Sequence, residues 1–377
     1  MEPFHDVRAQ YLAHRSEIDA AIRAVLESGS YILGATLERF ERTFAEYLGA
    51  PHVVGVASGT AALELALRAL RIGPGDEVAI PALTAVPTAM AVWSVGAAVR
   101  VVDVDLETYT LDPDALEREL TPAVKAIVPV HLSGGMADMD AIAAIADRRG
   151  IPVVEDAAQA HGASLGARKA GTLGRIGCFS FYPTKNLGSY GDAGAVVTAD
   201  PVLAARVARL RSYGGNGGYR FEEPGVNARM DDLHAAILLA KLPHLEAWNE
   251  RRRAHAAAYR ARLGGGPVSL PVERAGSRHV YHQFVVRSPR REELRTHLAS
   301  RGVATLVHYP EAVHQVEALR GCVRFRARPQ RAEQAARDVL SLPIYPELPE
   351  AQLERTIEAI LAFAAPARGP KVGVRRR

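Results

Sequence analysis

The chain has 377 residues, of which 48% are hydrophobic and 23% charged, a balance that fits a globular protein and excludes an extended disordered one. Its formal net charge of +4 is concentrated: residues 368–377 hold five of the 46 basic residues and no acid, and the remainder carries 41 basic against 42 acidic residues, which excludes a body-wide nucleic-acid footprint. No apolar run reaches the roughly 18–20 residues of a membrane span, the start MEPFHDVRAQ lacks a basic-then-apolar secretion signal, and two cysteines, Cys178 and Cys322, are too few for a disulfide framework or a thiolate zinc site, so a reduced cytoplasmic setting with no membrane or nucleic-acid partner is expected.

The length favours two domains, or one large domain with an appendage. After an N-terminal arm over 1–13, a large domain is expected over 14–247. Short β-branched runs recur within it at His52–Val56, Glu77–Ile80, Ala98–Asp103, Lys125–Val130, Ile151–Glu155, Cys178–Phe181 and Ala193–Thr198. Helical patterns lie between several of them. Ala61–Leu70 is apolar nearly all round, Asp112-Pro113 opens Ala115–Leu120, and Asp138–Arg149 stops at Gly150. This alternation predicts an α/β fold: a mainly parallel, mixed sheet flanked by helices.

The glycine-rich Arg211–Arg229 has no period and reads as a long functional loop. Asp231–Arg260 reads as helix, broken near Pro243. A smaller α+β C-terminal domain is expected over 248–366. Its predicted parts are strands at Val280–Arg287 and Val303–Val307 and helices at Arg291–Arg301, near Arg331–Leu340 and over 350–364. A basic, disordered tail over 367–377 closes the chain.

Three stretches could carry chemistry. Ser58-Gly59-Thr60 follows a strand and opens a helix, where free N–H groups and small residues admit a phosphate; a plain serine N-cap is the alternative. Glu155 and Asp156 end an apolar strand, the edge where ligands bind in open α/β sheets. An acid there can face a cationic ring nitrogen, with Gln159 and His161 nearby, or can cap the following turn. No further ligand is spaced to make Asp156 and His161 a metal site. Beyond the strand containing Ser180, and flanked by apolar residues and glycine, lies Lys185. A lysine so placed can act as an amine nucleophile, or be a solvated surface charge. Together, a phosphate cradle, an acid for a ring nitrogen and a Schiff-base lysine are the parts of a pyridoxal phosphate (PLP) pocket.

The stretches ASGT at 57–60, GPGDEV at 73–78, PVHL at 129–132, EDAAQAHGA at 155–163, CFSFYPTKNLG at 178–188, GDAGAV at 191–196, GVNARMD at 225–231 and HYP at 308–310 resemble the DegT/StrS family of PLP-dependent sugar aminotransferases, of PLP-transferase fold type I. The likeness runs from about Tyr31 to Tyr345. It implies a catalytic pair, Lys185 as Schiff-base lysine and proton shuttle and Asp156 against the pyridinium nitrogen. It also implies cofactor contacts from Ser58, Gly59, Thr60, Gln159 and Ser180, and from Asn227 of a second subunit, hence a homodimer with shared sites. Tyr31, Tyr182, Arg229, His308 and Tyr309 fall at positions near the substrate.

The resemblance further implies transfer of an amino group from an amino acid, L-glutamate, to a nucleotide-linked keto sugar such as a dTDP-keto-6-deoxyhexose, in antibiotic or cell-surface sugar synthesis. A carbocyclic ketone substrate, a sugar dehydratase and a non-catalytic regulator are the alternatives. The dehydratase branch replaces the lysine that is present here as Lys185. One departure stands out: where the family often stacks an aromatic on the cofactor ring, this chain has Ala85.

Overall fold

The computed structural model describes residues 3–216 and 219–363. Seven strands build the central sheet: β1 (His52–Val56), β2 (Glu77–Pro81), β3 (Ala98–Val102), β4 (Val124–Ile127), β5 (Val154–Asp156), β6 (Ile176–Ser180) and β7 (Gly194–Thr198). Ladders give the partial orders β3-β2-β4 and β5-β6-β7-β1, and the parallel bridges Ile127–Val153 and Val130–Asp156 join them edge to edge. The two-residue strand Val323–Arg324 adds outside β3. All pairings along β3-β2-β4-β5-β6 are parallel, whereas β7 runs antiparallel to both β6 and β1. This is the mixed, mainly parallel α/β sheet that the strand–helix alternation predicts.

Both faces of the sheet are covered, and strand alternation sorts the side chains between them. Val54, Val56, Val78, Ile80, Val99, Val154, Cys178 and Val196 join one core, which includes the helices Gly59–Ala69 and Val86–Ser94. Val53, Ala79, Ile127, Val153, Phe179, Ala195 and Val197 join the other, with the helices Ala35–Leu48, Met139–Arg149 and Asp232–Lys241. On that second face Phe44 meets Phe179 and Phe181 edge-on, with centroids 5.2 and 5.4 Å away. Burying each ring stabilises the fold by about 2–3 kcal/mol. Seating Phe179 and Phe181 on one face turns Ser180 to the other.

The helix boundaries have local causes. The side chains of Asp112 and Asp138 accept N–H bonds at the starts of Pro113–Glu119 and Met139–Arg149, and Gly150 ends the latter with φ +63°. Pro243 has no N–H to donate, and the predicted break falls there. Asp232–Lys241 is followed by a 3₁₀ turn, Leu242–His244, and then by Leu245–Leu263.

The C-terminal part departs from expectation. Val303–Val307 forms no strand; only Leu306 pairs there, with Ser341. The strand expected from Val280 begins at Phe284, and its partner is Val339–Leu342, which follows the helix Gln330–Asp338. The fully buried run Val339–Leu342 is the stronger strand signal. The proposed boundary at 247/248 falls inside the continuous helix Leu245–Leu263. A third core, from Ala256 to Phe363, gathers C-terminal residues alone, while Val285, Ala332 and Val339 join the first core. The N-terminal arm contains a helix, Val7–Ala13, capped by Asp6. The expected tail, 367–377, lies outside the described residues.

One buried acid ties the sheet to its loops. Glu155, fully buried, accepts N–H bonds from Gly171 (2.9 Å), Leu173 (2.6 Å) and Gly174 (2.6 Å) and pairs with His131 Nε2 at 2.8 Å. His131 Nδ1 accepts the Ala137 N–H, which assigns the ring proton to Nε2. In Glu155→Gln the new amide would turn N–H groups toward these donors. We expect a loss of about 3 kcal/mol of stability, read as a lower denaturant midpoint.

Candidate active site

A cavity of about 250 Å³ opens at the carboxyl edge of the sheet. It is lined by segments that follow β1 (Ser58–Thr60), β2 (Thr84–Thr88), β4 (Val130), β5 (Ala158, Gln159) and β6 (Tyr182, Lys185), together with the last residues of β5 and β6, Asp156 and Ser180. The topology explains the convergence. Parallel strands deliver their carboxyl ends to one edge, where crossover loops begin.

The phosphate-cradle expectation has a specific geometry. Ser58 caps Gly59–Ala69, its hydroxyl accepting the Ala61 N–H at 3.1 Å and its carbonyl taking the Ala62 N–H at 2.9 Å. Helix geometry leaves the Gly59 and Thr60 N–H groups without intrahelical partners, beside the cavity. Glycine is required at this point. A Cβ on Gly59 would lie 2.6 Å from Ser180 Cβ, and one on Gly194, at the start of β7, 2.3 Å from the Ser58 carbonyl oxygen. The close packing of β1, β6 and β7 thus brings the Ser180 hydroxyl beside two free amides, a donor set suited to a phosphate dianion.

Asp156, 5% exposed, points into the cavity while its neighbour Glu155 points away, as strand alternation dictates. Its Oδ2 accepts from Thr88 Oγ1 at 2.8 Å and its Oδ1 from the Ala158 N–H at 3.1 Å. Thr88 Oγ1 lies 3.1 Å from Thr84 Oγ1, which extends the chain of hydroxyls. Burial pushes the Asp156 carboxyl above its ordinary value, against the pull of these two bonds and of Lys185 and His131. A cation placed against it would restore the charged form.

Lys185 meets the cavity at the tip of the turn after β6, its own N–H bonded to the Tyr182 carbonyl at 2.9 Å. Burial lowers its ammonium to about 8, with Asp156 acting in the opposite sense. Gln159 is held at both ends: Oε1 accepts the Ser133 N–H at 2.6 Å, and Nε2 donates to the Tyr309 hydroxyl at 3.0 Å. Ala85 lines the cavity and offers no ring, and Tyr182, half exposed, is the aromatic among the lining residues.

The remaining expected residues are not all gathered. Tyr309 joins through Gln159. His308 sits beside it, with Nδ1 2.8 Å from Ser341 Oγ, and burial lowers its ring to about 4. Tyr31 is exposed and bonds Leu26 O at 3.3 Å. Asn227 is exposed on the Arg211–Arg229 segment, pairing with Ser212, and does not line the cavity of its own chain. Arg229 is half-buried, 5.7 Å from the Tyr213 ring, and is likewise absent from the lining. His161 is fully buried between Phe179 and Phe181, away from the lining. Thr84 and Thr88 are additions that motif reading missed; their place just beyond β2, at the sheet edge that carries Asp156, is the signal that points to them.

Lys185 and Asp156 meet at the carboxyl edge of a mainly parallel sheet, beside a helix-start anion cradle and with Asp192 also in the lining, which is the arrangement expected of a PLP pocket. The DegT/DnrJ/EryC1/StrS aminotransferase family model matches residues 13–361, and the chain belongs to that family. It is similar to dTDP-3-amino-3,4,6-trideoxy-alpha-D-glucose transaminase of Streptomyces venezuelae, 49% identical over 96% of either chain. Its fold matches the crystal structure of S. venezuelae DesV in complex with a ketimine intermediate, with a TM-score of 0.93 and 49% identity over 96% of this chain and 97% of that one. It also matches NtdA from Bacillus subtilis with bound cofactor PMP, with a TM-score of 0.88 and 32% identity over 96% and 84% of the two chains. Among the described residues no helix is long and apolar enough to cross a membrane.

The lowered value of Lys185 sets a pH test. The neutral, nucleophilic amine becomes the major form above about pH 8, not above the ordinary 10.5. In cofactor-free protein, amine-directed labelling of Lys185, followed by mass spectrometry, is expected to rise through a midpoint near 8. A lysine free in solution reaches that point only near its ordinary value of about 10.4.

Proposed function

We propose that the chain is a PLP-dependent aminotransferase that moves an amino group from an amino acid, L-glutamate, to a nucleotide-linked keto sugar of the dTDP-keto-deoxyhexose type. The observation that carries this reading is the convergence of Lys185, Asp156 and the Ser58–Thr60 helix start on one cavity, in a chain whose relatives aminate such sugars. When bound, PLP supplies an electron-accepting ring that stabilises negative charge at the carbon losing a proton.

The chain's own residues divide the remaining work. The Gly59 and Thr60 amides and the Ser58 and Ser180 hydroxyls would hold the phosphate. Asp156, kept in place by Thr88 and the Ala158 amide, would face the ring nitrogen and keep it protonated. Gln159, fixed by Ser133 and Tyr309, would face the ring's polar edge. Lys185 would bind the cofactor aldehyde and, once released, carry a proton between donor and acceptor carbons. Its amine, neutral above about pH 8, is matched to exchange that proton at mildly alkaline pH. Ala85 would offer no aromatic to stack on the ring. Tyr182, Arg229, His308, Tyr309 and Tyr31 are the substrate-side candidates. Asn227, exposed and outside the cavity of its own chain, would serve a second subunit of a homodimer.

The deciding experiment incubates purified protein with dTDP-, UDP- and GDP-linked keto sugars and with cyclic ketones, with and without L-glutamate, and reads products by mass spectrometry. We expect an amino sugar from a dTDP-keto-deoxyhexose only when glutamate is present. Lys185→Ala should lower turnover roughly 10²–10⁴-fold. An amine made from a cyclic ketone alone would move the substrate to the cyclitol class. Full turnover in Asp156→Ala would remove that residue from its assigned role.

A further inference from the structure

The loop that carries Lys185 is held from behind by polar side chains that the reaction does not use. It closes on itself first, the Ser189 N–H bonding the Phe181 carbonyl at 2.7 Å. Helices 232–241 and 245–263 then reach up to it. Lys241 Nζ donates to the Gly188 carbonyl, three residues beyond Lys185. Asn249 Oδ1 accepts from Asn186 Nδ2 at 2.8 Å, and Asn249 Nδ2 donates to the His161 carbonyl at 2.8 Å. Asn186 Nδ2 also donates to Val280 O at 3.0 Å, and His234 Nδ1 lies 2.9 Å from Ser189 Oγ.

These anchors are costly for the fold. Lys241 is 1% exposed, Asn249 is 0% exposed and Asn186 2%. Among the described residues Lys241 makes no direct ion pair, although the Glu347 carboxylate acts on it; its ammonium meets a carbonyl and the faces of Tyr190 (4.9 Å) and Trp248 (5.9 Å). Burying an ammonium on such terms costs several kcal/mol, and an apolar side chain of similar length would pack there more cheaply. Shape is also fixed at Gly188, where a Cβ would lie 2.5 Å from the Pro183 carbonyl oxygen, so the loop has little room to relax by itself.

We infer that Lys241 and Asn249 are positioning residues. They hold the Lys185 loop rigid from outside the cavity, so that the amine meets the cofactor's aldehyde carbon in one geometry. The inference rests on the Lys185 reading above.

The test separates lysine placement from cofactor binding. Pyridoxamine phosphate would use the same cradle and acid but, having no aldehyde, could form no bond to lysine, whereas capture of pyridoxal phosphate would form one, with loss of water. In Lys241→Met and Asn249→Leu we expect the rate of pyridoxal phosphate capture by cofactor-free protein, read from its visible band, to fall about 10- to 100-fold. The Kd for pyridoxamine phosphate, from calorimetry, should stay within about twofold, and kcat should fall while the sugar KM holds. Lys241→Arg, which keeps a donor, should recover most of the capture rate. Leu238→Ala serves as a control, since it empties the core under the same helix and removes none of the loop's polar anchors.

Capture at the wild-type rate would overturn the inference. So would capture and pyridoxamine phosphate binding that weaken together, in step with the stability loss of Leu238→Ala. If a Met or Leu variant does not fold, the Arg variant and the control decide on the same measurements. If the wild-type protein captures no pyridoxal phosphate, the reading of Lys185 itself fails, and this inference with it.

Discussion

A carboxylate with no access to solvent holds the active edge together. Glu155 gathers the amides of 171, 173 and 174 and the imidazole of His131, and so locks the loop before β6 and the segment after β4 onto β5. Left unpaired, that charge would cost more than the strand could offset; with four donors it becomes the fixed point of the edge. The next residue inherits that rigidity. Asp156 can turn only to the opposite face, and its Thr88 and Ala158 contacts then aim it into the cavity. One acid spends its polarity on structure so that its neighbour's carboxylate is free for a ligand.

The cradle obeys a different constraint, backbone proximity. Gly59 against Ser180 and Gly194 against the Ser58 carbonyl leave no space for a Cβ. Small residues there allow three strands to approach until helix-start amides and a serine hydroxyl share one small volume. Electrostatics and sterics meet at Lys185, where low solvent access lowers the ammonium to about 8 and the glycine-tight turn limits where it can point.

Much of this was legible in the chain itself. β1 matches its predicted limits, and the helix Asp138–Arg149 differs by its cap residue alone, because caps and β-branched runs are local signals. The cavity residues Ser58, Asp156, Ser180 and Lys185 could be found because each lies at a strand or helix terminus, or for Lys185 in the turn just beyond one, with a motif around it. Three kinds of feature were not legible. The opposite facing of Glu155 and Asp156 follows from strand alternation once their strand's partners are known. Thr88 acts on Asp156 across 68 positions of sequence, and Lys241 on Gly188 across 53, so no local pattern announces either. The strand expected at Val303–Val307 failed because its residues found their pairing at one bridge only, while Val339–Leu342 took the ladder.

The reversed strand β7 has a consequence for how the protein is made. It pairs β1 with β6, so residues near 55 must wait for residues near 195 before the Ser58–Thr60 helix start acquires its neighbours Ser180 and Gly194. Contacts of such long sequence separation carry a loop-closure cost and form late in folding. The cradle is therefore a feature of the finished sheet, absent from an N-terminal fragment that stops short of β7. A ligand that needs the cradle binds the completed fold and not its precursors, and by mass action it draws the chain toward completion. Such a ligand would thus stabilise the completed fold separately from any role in turnover.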